Sequence, residues 1–155
     1  MPDRVGRAVR RAQGEGGTRD KKGAAAALEK SYFRLVARPD PADVRPPAVL
    51  ERALERCRDR LAAGEVDYIW ACDQFKAMRQ DLQVQAVRSA LTVRVYEAHA
   101  RAALASGDLG EFNQCQTQLA GLYAEGLEGS RAEFMAYRIL YATIHRDKEG
   151  YSLLR

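Results

Sequence analysis

The 155-residue sequence lacks the features that mark membrane, secreted and disulfide-bonded proteins. No apolar run approaches the roughly 18 residues of a transmembrane helix, and the charged N-terminus has no apolar segment of a secretory signal. The three cysteines, Cys57, Cys72 and Cys115, are an odd number without a CxxC pair. This composition favours buried, reduced thiols in an intracellular protein over a disulfide framework or a zinc site.

Residue patterns of common enzymes are also missing. The sequence contains no P-loop, no HExxH and no Ser/His/Asp arrangement. His99 and His145 are the only histidines, and His99 has no histidine or cysteine one helical turn away. We therefore expect His99 to be a core or interface residue rather than a metal ligand or catalytic group. The sequence predicts a protein that is not an enzyme and needs no cofactor, metal or small-molecule substrate.

The excess of basic residues is confined to the N-terminus. Residues 1–30 contain eight Lys or Arg and four Asp or Glu, a net charge of +4, and the whole chain carries 25 − 21 = +4. Residues 31–155 are therefore neutral, with 17 residues of each sign. Because residues 1–23 have almost no apolar side chains, we predict that they are disordered. We divide the chain into a basic arm, residues 1–28, and a helical domain, residues 29–155.

A basic arm of this kind binds nucleic acid through phosphate contacts. Its net charge is small, so we expect any RNA binding by this chain to be weak and sensitive to salt. The candidate contact residues are Arg4, Arg7, Arg10, Arg11, Lys21 and Lys22.

The rest of the chain has helical periodicity, and no run alternates as a strand would. Residues 24–35 are compatible with a short helix, and residues 37–47 form a proline-rich irregular linker. About five antiparallel helices in consecutive pairs follow. The unit "YEAHARAALASGDLGEFNQC" has the helix, Gly-Asp turn and helix of a TPR-like solenoid. The fold class is therefore all-α, a solenoid of antiparallel helical pairs.

Local signals predict where these helices begin and end. The first helix is expected to end at Gly64 and the third, long helix near Ala105. In the second helix, the side chains expected to point inward are those of Ile69, Cys72, Phe75 and Met78. The five helices are predicted to start, in chain order, at or just after Pro46, Asp67, Asp81, Asp108 and Ser130.

Four side-chain amides crowd into the fourth predicted helix, "EFNQCQTQLAGLYAEG" (residues 111–126). Apolar residues at helical spacing predict its buried stripe, which consists of Phe112, Cys115, Leu119, Leu122 and Tyr123. This period argues against a low-complexity tract. The flanks and the outer face of the helix are then expected to hold Asn113, Gln114, Gln116 and Gln118, with Gln116 facing outward.

The segment "KAMRQDLQVQAVR" (residues 76–88) is the densest polar cluster and has two interpretations. In the favoured one it is a helix–helix corner, where Asp81 is a cap and Arg79 pairs locally. In the other, Lys76, Arg79 and Arg88 form a basic ledge on a concave surface.

A separate hypothesis concerns the last helix, whose apolar face nothing later in the sequence covers. We infer that the sequence is the front part of a longer solenoid, or that it docks on a partner.

Several segments resemble the GANP-type nuclear mRNA-handling proteins, and most of all the leukocyte receptor cluster member 8 branch and its plant relatives. They include "EKSYFRL", "RPDPADVRPPAVLERAL", "DYIWACDQFKAMRQDLQVQ" and "GDLGEFNQCQTQL". The resemblance extends from about Glu29 to the C-terminus, and its long, unusual run around "RQDL" and "EFNQCQ" makes it specific.

The resemblance implies a PCI-type module, a helical solenoid followed by a winged helix, with the winged helix absent here. It implies a non-enzymatic nuclear scaffold in mRNA processing, transcription-coupled maturation or export. The implied partners are another PCI-type protein and a small acidic subunit, without a membrane. The alternative is a general protein-binding helical-repeat subunit of a PCI-containing complex without RNA duties. The family's RQD signature is matched by Arg79, Gln80 and Asp81, for which, with Arg88, we expect a structural or partner-binding role.

Overall fold

The computed structural model describes the backbone of residues 23–152 and the side chains of residues 23–145. This range contains no strand and five α-helices, which confirms the all-α, solenoid-like class. A short 3-10 turn, Pro41–Asp43, precedes them. The helices are α1 (Pro47–Ala62), α2 (Tyr68–Val84), α3 (Ala90–Ala105), α4 (Leu109–Ala124) and α5 (Arg131–Ser152).

Most helix ends follow from local chemistry. Asp67 caps α2 by accepting a hydrogen bond from the Trp70 N–H at 2.8 Å. Asp108 caps α4 in the same way, with its Oδ1 3.1 Å from the Glu111 N–H. These side chains bind N–H groups that have no partner within the helix. Gly64 follows α1 with φ +70°, a left-handed conformation that glycine adopts without steric cost. The predictions for these ends are confirmed.

Two local predictions are wrong. Residues 24–35 form an extended segment rather than a helix. Asp81 does not cap a helix, because α2 continues through it to Val84 and α3 begins only at Ala90. At the start of α3, the Ser89 N–H donates to Thr92 Oγ1 at 3.2 Å. Both errors have one physical cause, since the carboxylate of Asp81 is engaged by residues of the extended segment and the linker, described below.

A third correction concerns the inner stripe of α2. Ile69 is 77% exposed, whereas the helix buries Phe75, Met78 and Leu82. Ile69 lies six residues before Phe75, which is well short of two full helical turns. Its side chain therefore points away from the side of α2 that holds Phe75, Met78 and Leu82. His99 is fully buried, as expected of a core residue.

The helices form two apolar cores that share α3. The first core joins α1, α2 and α3 and contains Leu50, Leu54, Phe75, Met78, Leu91 and Val95. The second joins α3, α4 and α5 and contains Val93, Tyr96, Phe112, Leu119, Leu122 and Phe134. Each helix packs on the next one in the chain. Burial on both sides of α3 makes it the central element of the solenoid.

The turn between α4 and α5 is fixed by a buried carboxylate of α3. Glu97 Oε1 accepts hydrogen bonds of 2.6 Å from the Tyr123 hydroxyl and from the Ser130 N–H. A Cβ atom at Gly129 would lie 2.5 Å from both Glu97 Oε1 and Val93 Cγ1. Glycine at this position therefore allows the turn to approach α3 closely enough for these bonds.

Candidate functional site

The side chain of Arg79 lies at the centre of a largely buried polar cluster between α2, α3 and α4. Its Nη1 atom donates to the Glu111 carboxylate, lies 3.1 Å from His99 Nδ1 and lies 3.5 Å from Cys115 Sγ. The guanidinium also stacks over the ring of Tyr96 at 5.0 Å. Lys76 completes the cluster, with Nζ 3.3 Å from Glu111. The cluster therefore joins α2 to α3 and α4, with Arg79 as its central residue.

The proton on His99 is assigned by its neighbours. A guanidinium only donates hydrogen bonds, so His99 Nδ1 must accept, and the proton lies on Nε2. Nε2 faces Cys72 Sγ at 3.4 Å, and the ring stacks on Phe75 with centroids 5.1 Å apart. Burial first, and then the positive charge of Arg79, lower the pKa of His99 to about 4. The histidine is consequently neutral at physiological pH.

The cluster has the donor types of a metal site, but its geometry is that of an ion-pair network. Donor atoms of His99, Glu111 and Cys115 lie within 4.8 Å of one another. Arg79 contacts all three, so its cation occupies the position between them. Burial raises the pKa of Cys115 to about 12, which keeps the thiol protonated. Burial alone would also raise the pKa of Glu111, but the hydrogen bond and charge of Arg79, together with His99 and Lys76, lower that pKa overall.

Residues 76–88 contain a helix–helix corner, as the favoured interpretation expects, but its details differ from the prediction. Arg79 pairs with Glu111 of α4 rather than locally, and Lys76 pairs with the same carboxylate. Arg88 forms two hydrogen bonds to Glu125 at the end of α4. The three cations are thus matched by carboxylates and form no free basic ledge. The corner itself lies after Val84 rather than at Asp81, because α2 passes straight through Asp81, which caps no helix.

Asp81 lies on the other side of α2 from Arg79, in a second buried ion-pair group. Its two carboxylate oxygens accept hydrogen bonds of 2.7 Å from Lys30 Nζ and from Arg45 Nε. Arg45 is fully buried, and its Nη2 atom has no hydrogen-bond partner among the described residues. Lys30 and Arg45 belong to the segment that precedes α1, so Asp81 fixes this segment to the solenoid.

We call residues 23–45 the strap, because this extended segment runs along α2. Side chains of α2 bind its backbone. Gln74 Oε1 accepts from the Lys30 N–H at 3.0 Å, and Gln80 Nε2 donates to the Phe33 carbonyl at 2.9 Å. Gln85 bonds both ends of the strap, accepting from the Gly23 N–H and donating to the Arg45 carbonyl. Several backbone groups that a helix would satisfy internally are satisfied here by side chains of α2 and of Gln85, directly after it.

The RQD signature therefore serves both flanks of α2. Arg79 faces α3 and α4, whereas Gln80 and Asp81 hold the strap. All three side chains bind residues of the chain itself. Arg88, the fourth residue of the predicted set, bridges the α2–α3 turn to α4.

The amides of α4 divide into two groups. Gln116 is 7% exposed, and its Nε2 donates to Asn113 Oδ1 at 2.8 Å. The prediction that Gln116 faces outward is wrong, because α5 covers this side of α4. Gln114 and Gln118 are exposed as expected. They line a groove of ≈ 530 Å³ between α4 and the α2–α3 turn, together with Asn113.

The outer surface of α5 is the largest exposed apolar feature of the described helices. Its inner side packs Phe134, Tyr137 and Tyr141 against the second core. Outside this contact lie four large apolar residues, each at least half exposed: Met135, Ile139, Leu140 and Ile144. A second groove, of ≈ 390 Å³, lies between α5 and α4.

Sequence reasoning missed the buried charges. Arg45, Glu97 and Glu111 are buried, although each residue type usually lies at the surface. A single sequence offers one weak signal for them, the positions of Glu97 and Glu111 beside apolar stripe residues. Their partners lie on other helices, at sequence distances that no local pattern encodes. The candidate RNA-contact residues of the arm, Arg4 to Lys22, lie outside the described residues.

No helix within residues 23–152 has both the length and the apolar character needed to cross a bilayer.

Sequence comparisons relate the chain to known proteins. A family model described as the SAC3/GANP family matches residues 8–110. The chain is 52% identical over 126 residues to SAC3 family protein A of Arabidopsis thaliana, covering 81% of the chain and 12% of that protein. It is 53% identical over 114 residues to the leukocyte receptor cluster member 8 homolog of Xenopus laevis, covering 74% of the chain and 14% of that protein.

A more distant similarity is to Protein THP3 of Saccharomyces cerevisiae. The two are 42% identical over 130 residues, which cover 83% of the chain and 28% of that protein. The chain thus spans less than a third of the length of each of these three relatives.

Proposed function

Because the chain belongs to the SAC3/GANP family, we propose that it acts as a non-enzymatic scaffold in the nucleus. Its role is in mRNA processing, transcription-coupled maturation or export, as the family resemblance implies. The observation that carries this proposal is the exposed apolar surface of α5, where Ile139 is 63% and Leu140 is 61% exposed. Apolar surface of this kind favours docking on a partner.

The polar clusters support a scaffold rather than a catalyst. Arg79, His99 and Glu111 bind one another, and the thiol of Cys115 stays protonated. A reactive site would instead need a poised acid, base or nucleophile that faces a cleft. The role of Arg79, Gln80, Asp81 and Arg88 is accordingly to hold the helices and the strap together.

The proposed partners of the α5 surface are another PCI-type protein and a small acidic subunit. RNA contacts are assigned to the basic arm, and they are weak because the arm carries few net charges. An alternative function is that of a protein-binding subunit without RNA duties. The neutrality of residues 31–155 favours this alternative, since it leaves the helical domain without excess positive charge.

Affinity purification of the tagged chain from nuclear extract, with and without ribonuclease, tests both. The scaffold proposal expects a PCI-type protein in both samples and enrichment of polyadenylated RNA in the untreated one. The double variant Ile139→Ser/Leu140→Ser should lose the protein partner. The control Glu55→Ala/Arg58→Ala, an exposed pair on α1 with no net charge change, should retain it.

A protein partner without polyadenylated RNA would favour the alternative. Both proposals are contradicted if no protein partner is lost by the α5 variant and retained by the α1 control.

A further inference from the structure

The groove between α4 and the α2–α3 turn contains polar side chains that the fold itself does not use. Gln83, Gln114 and Gln118 line it and are exposed. Among the described residues, none of these three amides has a hydrogen-bond partner. Beneath them the groove has an apolar floor that includes Leu82 and Leu122, both buried. The groove therefore combines an apolar base with a rim of unpaired amide donors and acceptors.

Charge balance decides which class of macromolecule suits this groove. Its two cations are Arg79, paired with Glu111, and Arg88, paired with Glu125. A nucleic acid binds chiefly through its phosphates, which need unpaired cations. An uncharged polymer with both hydrogen-bond donors and acceptors complements the amides better. The backbone of an extended polypeptide has this chemistry, because each residue presents one N–H and one carbonyl.

The same helix already binds a backbone in this way on its opposite flank. There Gln74 and Gln80 of α2, and Gln85 directly after it, bind N–H and carbonyl groups of the strap, at 2.7 to 3.0 Å. The strap is extended and lacks helical hydrogen bonds of its own over residues 24–40. The molecule thus shows that side-chain amides on α2 hold an extended chain. Gln83 presents the same group toward the groove.

We infer that this groove binds an extended, uncharged segment of a partner protein, held mainly through its backbone by the amides of Gln83, Gln114 and Gln118. The groove follows α4 from Asn113 to Leu122, a rise of about 14 Å. An extended segment of about four residues spans this length. The site is on a different face from the α5 surface and does not depend on it.

A random-peptide phage library selected on the full chain supplies the probe. The inference expects an enriched peptide with an uncharged central motif, whose affinity changes little with salt. Gln114→Ala/Gln118→Ala should weaken its binding by about tenfold or more, as the loss of two hydrogen bonds would. Glu55→Ala/Arg58→Ala should bind like the unsubstituted chain. Peptides N-methylated at single backbone nitrogens should lose binding at the positions that face the amides.

A measurement on the unsubstituted chain removes any dependence on variant folding. The side-chain amide NMR signals of Gln114 and Gln118 should shift when the selected peptide is added. The inference is overturned if no peptide is enriched, or if the enriched peptides bind the groove variant and the control equally. It is also overturned if a labelled oligouridylate binds in a manner that depends on the same glutamines, because the groove would then accept nucleic acid.

Discussion

At the scale of single residues, the charged side chains inside this protein join parts of the chain that are distant in sequence. Asp81 bonds Arg45, 36 positions away, and Glu111 bonds Arg79, 32 positions away. A buried charge without a partner would cost several kcal/mol. Each pair therefore stabilises one relative placement of two segments and penalises others. Apolar contacts alone specify such placements less strictly, because they lack direction.

The fourth helix allows a direct test of which amides face inward. Leu119 is fully buried, so Leu119→Ala should destabilise the protein by about 2–5 kcal/mol. Exposed Gln114→Ala should change the free energy of unfolding by less than about 0.5 kcal/mol. Gln116→Ala should cost about 1 kcal/mol, since it removes a partly buried hydrogen bond to Asn113. Denaturant melts of the three variants give these values. Equal stabilities for Gln114→Ala and Gln116→Ala would contradict the burial of Gln116.

Buried His99 makes stability depend on pH. Its pKa is lowered from 6.5 to about 4 in the folded protein, so between these values the unfolded chain binds more protons. The contribution of His99 to the free energy of unfolding is complete above pH 6.5. It falls as the pH decreases toward 4, by about 3 kcal/mol in total. His99→Gln should be less stable but should lose this dependence above pH 5, where few carboxylates titrate.

The matched control for that experiment is His145→Gln, which changes the other histidine, an exposed one. Unfolding free energies measured from pH 5 to 7 should decline in parallel for the control and the unsubstituted protein. A control that also becomes independent of pH would assign the effect to His145 and contradict the role of His99.

At the scale of elements, the strap is held by α2 more than by its own contacts. Glutamines and Asp73 of α2 bind its backbone, and Asp81 binds Lys30 and Arg45. The strap in turn presents an exposed apolar side chain, since Phe33 is 73% exposed. An extended segment without a sheet is therefore held here mainly by side chains of α2, and Arg56 and Arg60 of α1 add ion pairs to Glu29.

Removal of one carboxylate charge should release the strap. Asp81→Asn leaves fully buried Arg45 without a matching anion and should cost about 3–5 kcal/mol. Asp73→Asn, which alters a partly exposed carboxylate bonded to the Tyr32 N–H, should cost less than about 1 kcal/mol. Denaturant unfolding together with limited proteolysis within residues 23–45 measures both effects. Similar values for the two variants would show that the Arg45 pair contributes little.

The strap also shows where sequence reasoning succeeds and where it stops. Asp67 and Asp108 were predictable as caps, because a cap involves only the next few residues. Asp81 has the same residue type and a similar neighbourhood, but Arg45 and Lys30 determine its role from a distance. The alanines of residues 24–35 favour a helix locally, and yet α2 binds their segment in extended form. The helices, the buried stripe of α4 and the family resemblance are confirmed, whereas the exposure of Ile69 and the buried ion pairs required the structure.

At the scale of the whole molecule, charge and apolar surface are separated along the chain. The excess positive charge lies in residues 1–30, and the helical domain is neutral from residue 31. The large exposed apolar residues of the helices concentrate on α5, at the other end of the solenoid. The proposed function therefore assigns contacts with a polyanion to the N-terminal arm and docking on a protein partner to α5, at opposite ends of the sequence.

The basic arm should account for RNA affinity if the chain binds RNA. Replacing Arg4, Arg7, Arg10 and Arg11 with Gln should weaken binding to a labelled oligouridylate. The slope of log affinity against log salt should also fall by about 3, because each single-strand phosphate contact contributes about 0.7. The control removes four exposed arginines from the helical domain, namely Arg52, Arg58, Arg131 and Arg138. If this control matches the arm variant, net charge rather than the arm determines binding.

The sharing of α3 between two cores also has a consequence during synthesis on the ribosome. The first core needs only α1, α2 and α3, so it can close once Ala105 has left the exit tunnel. The other side of α3, with Val93 and Tyr96, then faces solvent until α4 is complete at Ala124. Those 124 − 105 = 19 residues take about 1–4 s to translate. Slow translation while these residues emerge would prolong the exposure of this apolar surface. Slow translation before α3 has emerged would not.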